Sequence, residues 1–182
     1  RTLIALLTLA LVPACPRSAV GPETAPEIVT LRGQTMGTSY QVKVLVRSAA
    51  ESARAVALQP ALDSLLERVN DQMSTYRPES ELSRFNRAEA HTPFAVSAAT
   101  AEVAARALAL GEATLGAFDV TLGPLIELWG FDKGGPRKEP PGDSELRAAR
   151  ARVGRERLRV QGNTLVKDRP DVLVNLSGIA KG

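Results

Sequence analysis

Cysteine is almost missing from this chain: one, Cys15, among 182 residues, which excludes a disulfide scaffold and cysteine-pair metal sites. Aromatics are sparse, with four Phe, two Tyr and one Trp, too few to stack bases along a nucleic-acid strand. Histidine occurs once, at His91 in the polar stretch Ala-Glu-Ala-His-Thr-Pro. That placement reads as a solvated loop and offers neither a Ser-His-Asp system nor a two-histidine zinc site. The Gly-x-x-x-x-Gly-Lys-Ser/Thr phosphate loop is absent too, which removes P-loop NTPases. Charge of one sign is also in short supply, since 23 basic and 20 acidic residues leave a net charge of only +3. Nucleic acid is not the expected partner.

What is present suits a folded domain, with 44% apolar and 24% charged residues. At this length folding buries roughly 70% of the surface of the unfolded chain, enough for a core without metals or disulfides. The basic excess is local: residues 132–171 carry eleven Lys/Arg against seven Asp/Glu, the remainder twelve against thirteen. The arginines at 147, 150, 152, 155, 157 and 159 read first as the solvated face of a helix and hairpin, and second as an anion-attracting patch.

Residues 3–14 (LIALLTLALVPA) are almost wholly apolar, shorter than the ~20 residues of a spanning helix but the length of a secretory h-region. The stretch ends on Val-Pro-Ala-Cys, which resembles a bacterial lipobox, and continues as a Pro/Ser/Gly/Glu tether. The expected organisation is a partial signal peptide at 1–14, a tether at 15–27 anchored to the membrane through a lipidated Cys15, and a domain from 28 to 182. This implies an exported protein held at the inner membrane, facing the periplasm.

Period-two alternation predicts a strand pair over 27–47, interrupted by Gly-Gln-Thr-Met-Gly-Thr at 33–38 as a hairpin turn or a bulge. The period then changes: Leu58, Leu62, Leu65, Leu66, Val69, Met73 and Tyr76 predict a helix after a break near Gln59, with Pro60 in its first turn. A short polar turn of helix is expected after Pro78, and a long alanine-rich helix from an N-cap at Ser97 to about residue 115. Residues 116–131 form a Gly-punctuated apolar segment, and 132–142 a loop. Residues 143–153 predict a short helix capped at its start by Asp143, 158–166 a hairpin, and 172–176 a buried strand running into a helix at Ser177. The fold class is α+β: a mixed, largely antiparallel sheet from strands near 28–46, 158–166 and 172–176, with helices at 60–76 and 98–115 packed on it.

Three places look built for a ligand. The glycines at 33–38 permit close backbone approach or simply make a turn. Asp119 follows a helix stop and accepts hydrogen bonds either from a ligand or in an Asx turn. Ser177-Gly178 opens a helix after a buried run, where free N–H groups favour phosphate.

Taken in order, Met-Gly-Thr-Ser at 36–39, Tyr-Arg-Pro-Glu-Ser-Glu-Leu-Ser-Arg-Phe-Asn at 76–86, Phe-Asp-Val-Thr-Leu-Gly-Pro-Leu at 118–125 with Leu-Trp-Gly-Phe at 128–131, and Asn-Leu-Ser-Gly-Ile-Ala-Lys-Gly at 175–182 resemble the ApbE family of flavin transferases. The resemblance covers roughly residues 28–182 and implies an ApbE-like (T-fold-like) domain. It implies an enzyme that splits FAD at the pyrophosphate with Mg²⁺ and attaches FMN through a phosphoester to a Thr or Ser of a target protein, releasing AMP. Carried over residue by residue, Met36 and Tyr76 line the FAD pocket. Ala117, Phe118 and Asp119 hold the cofactor through backbone groups and the carboxylate, Asn175 and Lys181 contact FAD, and the Gly178 carbonyl is a metal ligand. Asn175 stands where the family usually has Asp, removing a negative charge. The resemblance places the remaining magnesium ligands and a catalytic histidine in a C-terminal part outside these residues, so the chain is expected to be truncated at both ends and to hold no catalytic residue itself. The alternative is a periplasmic FAD-binding lipoprotein that performs no transfer.

Overall fold

A computed structural model describes residues 25–132 and 135–180. The signal segment, Cys15, most of the tether and Lys181 lie outside the described residues.

The chain opens with a hairpin, β1 (Glu27–Thr35) and β2 (Thr38–Val46), antiparallel from Glu27↔Val46 to Thr35↔Thr38. The connecting turn is Met36-Gly37, with φ of 50° and 73°, a two-residue turn whose left-handed residues match the twist of the strands. The interruption is therefore a turn and not a bulge. One face of the hairpin carries buried Leu31 and Val46, while Ile28 and Leu45, cross-strand partners, stay exposed. Tyr40 crosses over Gly33, where a Cβ would lie 2.5 Å from the ring. Its hydroxyl donates to Asp63 and accepts from Gln59 Nε2 at 2.6 Å, and Gln59 Oε1 in turn accepts from the Arg32 N–H at 3.3 Å. The hairpin is thus fastened to the helix behind it.

That helix is two: α1 (Ala49–Ala57), capped by Ser48, and α2 (Gln59–Met73), joined at Leu58, which keeps helical dihedrals. Pro60 stands in the first turn of α2, where its missing N–H is not needed. The helix stops at Met73, earlier than the periodicity predicts. The Ser74 carbonyl is taken by the hydroxyls of Ser80 (2.5 Å) and Ser83 (3.1 Å), so the chain leaves helical geometry before Pro78 and carries Tyr76 in a loop. Ser80 caps α3 (Glu81–Arg87), and Ser97 caps α4 (Ala98–Ala113) by accepting from the Thr100 N–H at 3.3 Å. Glu81 Oε2 ties the two helices together, accepting from the Ser97 N–H and hydroxyl, both at 2.9 Å, and from the Thr100 hydroxyl at 2.8 Å. Small residues let α4 sink into the core: Ala101, Ala104, Ala107 and Gly111 are buried.

A second antiparallel sheet has the order β3 (Phe94–Ala95), β5 (Thr164–Lys167), β4 (Leu158–Gln161). The α+β class with antiparallel strands and packed helices stands, but the described strands form two sheets and none pairs in parallel. Segment 116–131 contains an unforeseen helix, α5 (Gly123–Leu128), started by Pro124. Helix α6 (Asp143–Arg150) begins one residue earlier than expected, with Gly142 as its cap and Glu145 Oε2 accepting the Gly142 N–H at 2.8 Å. Of the arginines read as a solvated face, those at 147, 150 and 159 are exposed and those at 152, 155 and 157 half-buried. His91 lies in an exposed turn, as expected.

The clearest departure is 172–176. Val172, Val174 and Leu176 are fully buried, yet the segment joins no ladder among the described residues. Its backbone is satisfied piecemeal. The Asn86 side chain brackets Val174 (Oδ1 to N–H 2.9 Å, Nδ2 to carbonyl 2.9 Å), the Asn175 N–H donates to Val120 O (2.8 Å), and the Gly123 N–H donates to Leu173 O (3.2 Å). A buried extended run requires its hydrogen bonds to be made, but not by another strand. The segment runs into α7 (Ser177–Ala180).

The Tyr40–Asp63 contact makes a testable prediction. The hydrogen bond to Asp63 raises Tyr40 above the ordinary 10.0, and the same bond, with that from Gln59, holds Asp63 below 3.8. The raised Tyr40 contributes stability below pH 10 that is lost as pH rises through its folded value. The depressed Asp63 contributes above about pH 4 and loses it as pH falls through its own. Absorbance titration is expected to place one tyrosine above the ordinary midpoint, and Asp63→Asn to return it.

Candidate functional site

The larger of two neighbouring cavities, about 560 Å³, lies between the tip of the hairpin, the end of α2 and α7. Met36 and Gly37 enter from the turn, Met73 from α2, Tyr76 from the following loop, and Ser177 and Ala180 from α7. The hairpin tip is held there by Asn70, whose Nδ2 donates to Thr35 Oγ1 at 3.1 Å. Two thioethers and a phenol ring make a wall suited to a planar aromatic group, and the volume is within the range of small-molecule sites. Tyr76 is itself positioned by its hydroxyl, which donates to Phe131 O at 3.3 Å. Arg77 stands on the rim with its charge already engaged, 2.7 Å from both Glu67 and Asp71. Those carboxylates, Glu67 first, hold the guanidinium above its usual range.

Thr75 is shared with a second, polar cavity of about 220 Å³, whose walls include Asn86, Asp132 and Asn175. Thr75 Oγ1 and Asp132 Oδ1 are buried here without a hydrogen-bond partner among the described residues. Both are enclosed polar atoms of residues in the cavity wall.

The structure therefore brings Met36 and Tyr76 to one cavity and Asn175 to the next. Asn175 is partly committed, because its Oδ1 accepts the Ser177 N–H at 2.9 Å. This uses one of the N–H groups expected to be free for phosphate. It also shows what an amide keeps when it replaces a carboxylate: the accepting oxygen remains and the charge is lost. Ala117, Phe118 and Asp119 line neither cavity. Asp119 Oδ1 accepts from the Thr121 N–H (2.7 Å) and hydroxyl (2.6 Å), the Asx-turn alternative. Phe118 packs on the core and on α7, where a Cβ at Gly178 would lie 3.5 Å from its ring. Gly178 is in α7, and no group of three or more His, Cys, Asp or Glu side chains among the described residues is arranged to hold a metal. Sequence reasoning missed Asn70, Met73, Thr75 and Asn86 as site residues. Of these only Asn86 lay in a motif that drew attention.

The chain was also compared with known proteins. The ApbE family model matches residues 36–182. The chain is 48% identical over 183 residues to the FAD:protein FMN transferase of Vibrio cholerae serotype O1, covering 99% of this chain and 51% of that protein. It is 42% identical to that of Haemophilus influenzae, covering 86% and 46%. The solved flavin transferase ApbE from Vibrio cholerae superposes with a TM-score of 0.79 at 48% identity, over 86% of this chain and 50% of that one. The apo Pseudomonas stutzeri flavinyl transferase ApbE superposes at 0.73 and 32%, over 85% and 48%. The chain spans about half the length of the curated relatives it matches. On the family match over residues 36–182 and the 48% identity, this chain belongs to the ApbE family.

Proposed function

We propose that this chain is the flavin-holding part of an exported FAD:protein FMN transferase, which cleaves FAD at the pyrophosphate and attaches FMN through a phosphoester to a Thr or Ser of a target protein, releasing AMP. The observation that carries the reading is the meeting of Met36, Tyr76 and Ser177 at one cavity, with Asn175 in the adjoining polar one. Met36, Met73 and Tyr76 bind and orient a planar ring and keep water from its faces. The orphaned Thr75 Oγ1 and Asp132 Oδ1 offer hydrogen bonds to the polar remainder of the ligand. Asn175 sets the start of α7 against both.

When bound, Mg²⁺ supplies neutralisation of charge developing on the pyrophosphate. The described residues do not make a magnesium site by themselves, because the implied Gly178 carbonyl is one neutral ligand and this ion is usually held through one or two carboxylates. In this proposal a lipidated Cys15 anchors the protein to the inner membrane, on the periplasmic side.

Incubating the full-length protein with FAD, Mg²⁺ and a Thr-bearing target is expected to leave fluorescent flavin on the target after denaturation, with AMP released. In cells a Cys15→Ser variant should leave the membrane fraction. FAD bound and recovered intact would support the alternative of a binder without transfer, which the charge lost at Asn175 favours. No binding of FAD would overturn both.

A further inference from the structure

Strand β5 ends on a lysine with no exposed surface. Lys167 is 0% exposed, and its Nζ donates to the carbonyls of Asn86 (2.7 Å), Pro170 (2.9 Å) and Val172 (3.4 Å). It also lies 5.6 Å from the ring centroid of Phe85. Three donors thus meet three acceptors, which is the full capacity of an ammonium group. None of these partners is a carboxylate. Asp171, the acid that acts on the charge, is paired with Arg169 at 2.9 and 2.8 Å. Burial pushes the ammonium below the usual lysine range, opposed by Asp171.

An unpaired buried cation is an expensive way to fill a core position, and an apolar side chain of similar volume would stabilise at least as well. What the ammonium does, and a methylene chain does not, is gather three backbone carbonyls from two distant stretches. Pro170 lies in the turn that leads into the extended segment that belongs to no ladder, and Val172 begins that segment. Asn86 brackets Val174 in the middle of the same segment with its amide. Next in the chain come Asn175, in the wall of the polar cavity, and Ser177, in the wall of the larger one.

We propose that Lys167 is a positioning residue for the ligand site. Its ammonium and the Asn86 amide together take the place of a neighbouring strand, fixing 170–174 so that Asn175 and α7 stand correctly against the two cavities. The inference rests on the FAD reading for its ligand but not for its geometry.

The test uses the full-length protein with Lys167→Met, Asn86→Ala and the double variant, read by FAD titration, thermal unfolding and amide hydrogen exchange. Each single variant is expected to weaken FAD binding about tenfold or more, with the double variant no weaker than the weaker single, because both act on one segment. Exchange at 174–177 is expected to rise about tenfold or more while exchange in the hairpin 27–46 stays as it was. A Lys167→Met protein that melts earlier yet keeps wild-type affinity and wild-type exchange at 174–177 overturns the proposal, as do strictly additive losses. Should Lys167→Met not fold, Lys167→Gln, which keeps two donors, takes its place with the same readings. Failure of the wild-type protein to bind FAD overturns the functional reading instead, and hydrogen exchange then decides this one.

Discussion

Gly123→Ala is expected to weaken FAD binding by the full-length protein about tenfold or more without disturbing the hairpin. A Cβ at this position would lie 2.5 Å from both Cβ and the carbonyl oxygen of Leu173 and 2.9 Å from its carbonyl carbon. These are backbone and near-backbone atoms, with no flexible end to swing aside. The Gly123 N–H is bonded to that same oxygen at 3.2 Å, so the first turn of α5 and the extended segment sit closer than any other residue permits. Something must move, and 172–176 has no ladder to resist. The displacement passes directly to Asn175 and α7. Gly162→Ala is the control: the β4–β5 turn holds Gly162 at φ 56° with nothing within 4 Å of a Cβ, so it strains the backbone away from the site and should leave affinity unchanged. Equal titration curves for all three proteins would refute the coupling.

Phe85→Ala is expected to cost about 3–5 kcal/mol in urea unfolding, the range for emptying a buried aromatic site. Phe85 is 1% exposed, meets Phe94 edge-on at 5.9 Å and 61°, and lies beneath the Lys167 ammonium. The substitution removes core volume under α3, an aromatic pair with β3 and the ring beside a buried charge. Against a total of about 5–15 kcal/mol for a typical domain, that loss removes from about a fifth of the stability to all of it. Phe85→Leu should recover much of the packing but not the contact with the cation. A loss below about 1 kcal/mol for the alanine variant would show that the core is not organised around this ring.

Much of this organisation was legible in the sequence, and the misreadings have physical causes. The hairpin and α4 announced themselves because one face of each is buried and period two or three-to-four follows. The run at 172–176 read as a strand because burial on both sides makes any segment apolar, and periodicity does not say who supplies the hydrogen bonds. Helix α5 was hidden by Gly123 and Pro124, which look like breakers although proline is welcome in a first turn. Strand β3, two residues long, has no period at all. In the site, the glycine-bearing loop that holds Met36 stood out by itself, Tyr76 was reachable only through the resemblance, and Thr75 and Asn70 not at all, since a polar residue near a helix end reads as surface. Lys167 left a clue that went unused: it lies two residues from Leu165, on the face that alternation assigns to the core.

The contact that closes the site, Asn86 with Val174, spans 88 residues, whereas the hairpin and its helices close over short loops. Loop-closure entropy orders such events in time, local pairs first and distant ones last. The cavity is therefore expected among the late things to form as the chain folds, since its α7 wall arrives only when the 172–180 stretch docks. A ligand of this cavity cannot template early folding. It can only recognise the finished molecule, and so acts by mass action, drawing the equilibrium toward the native state in proportion to its concentration over its dissociation constant.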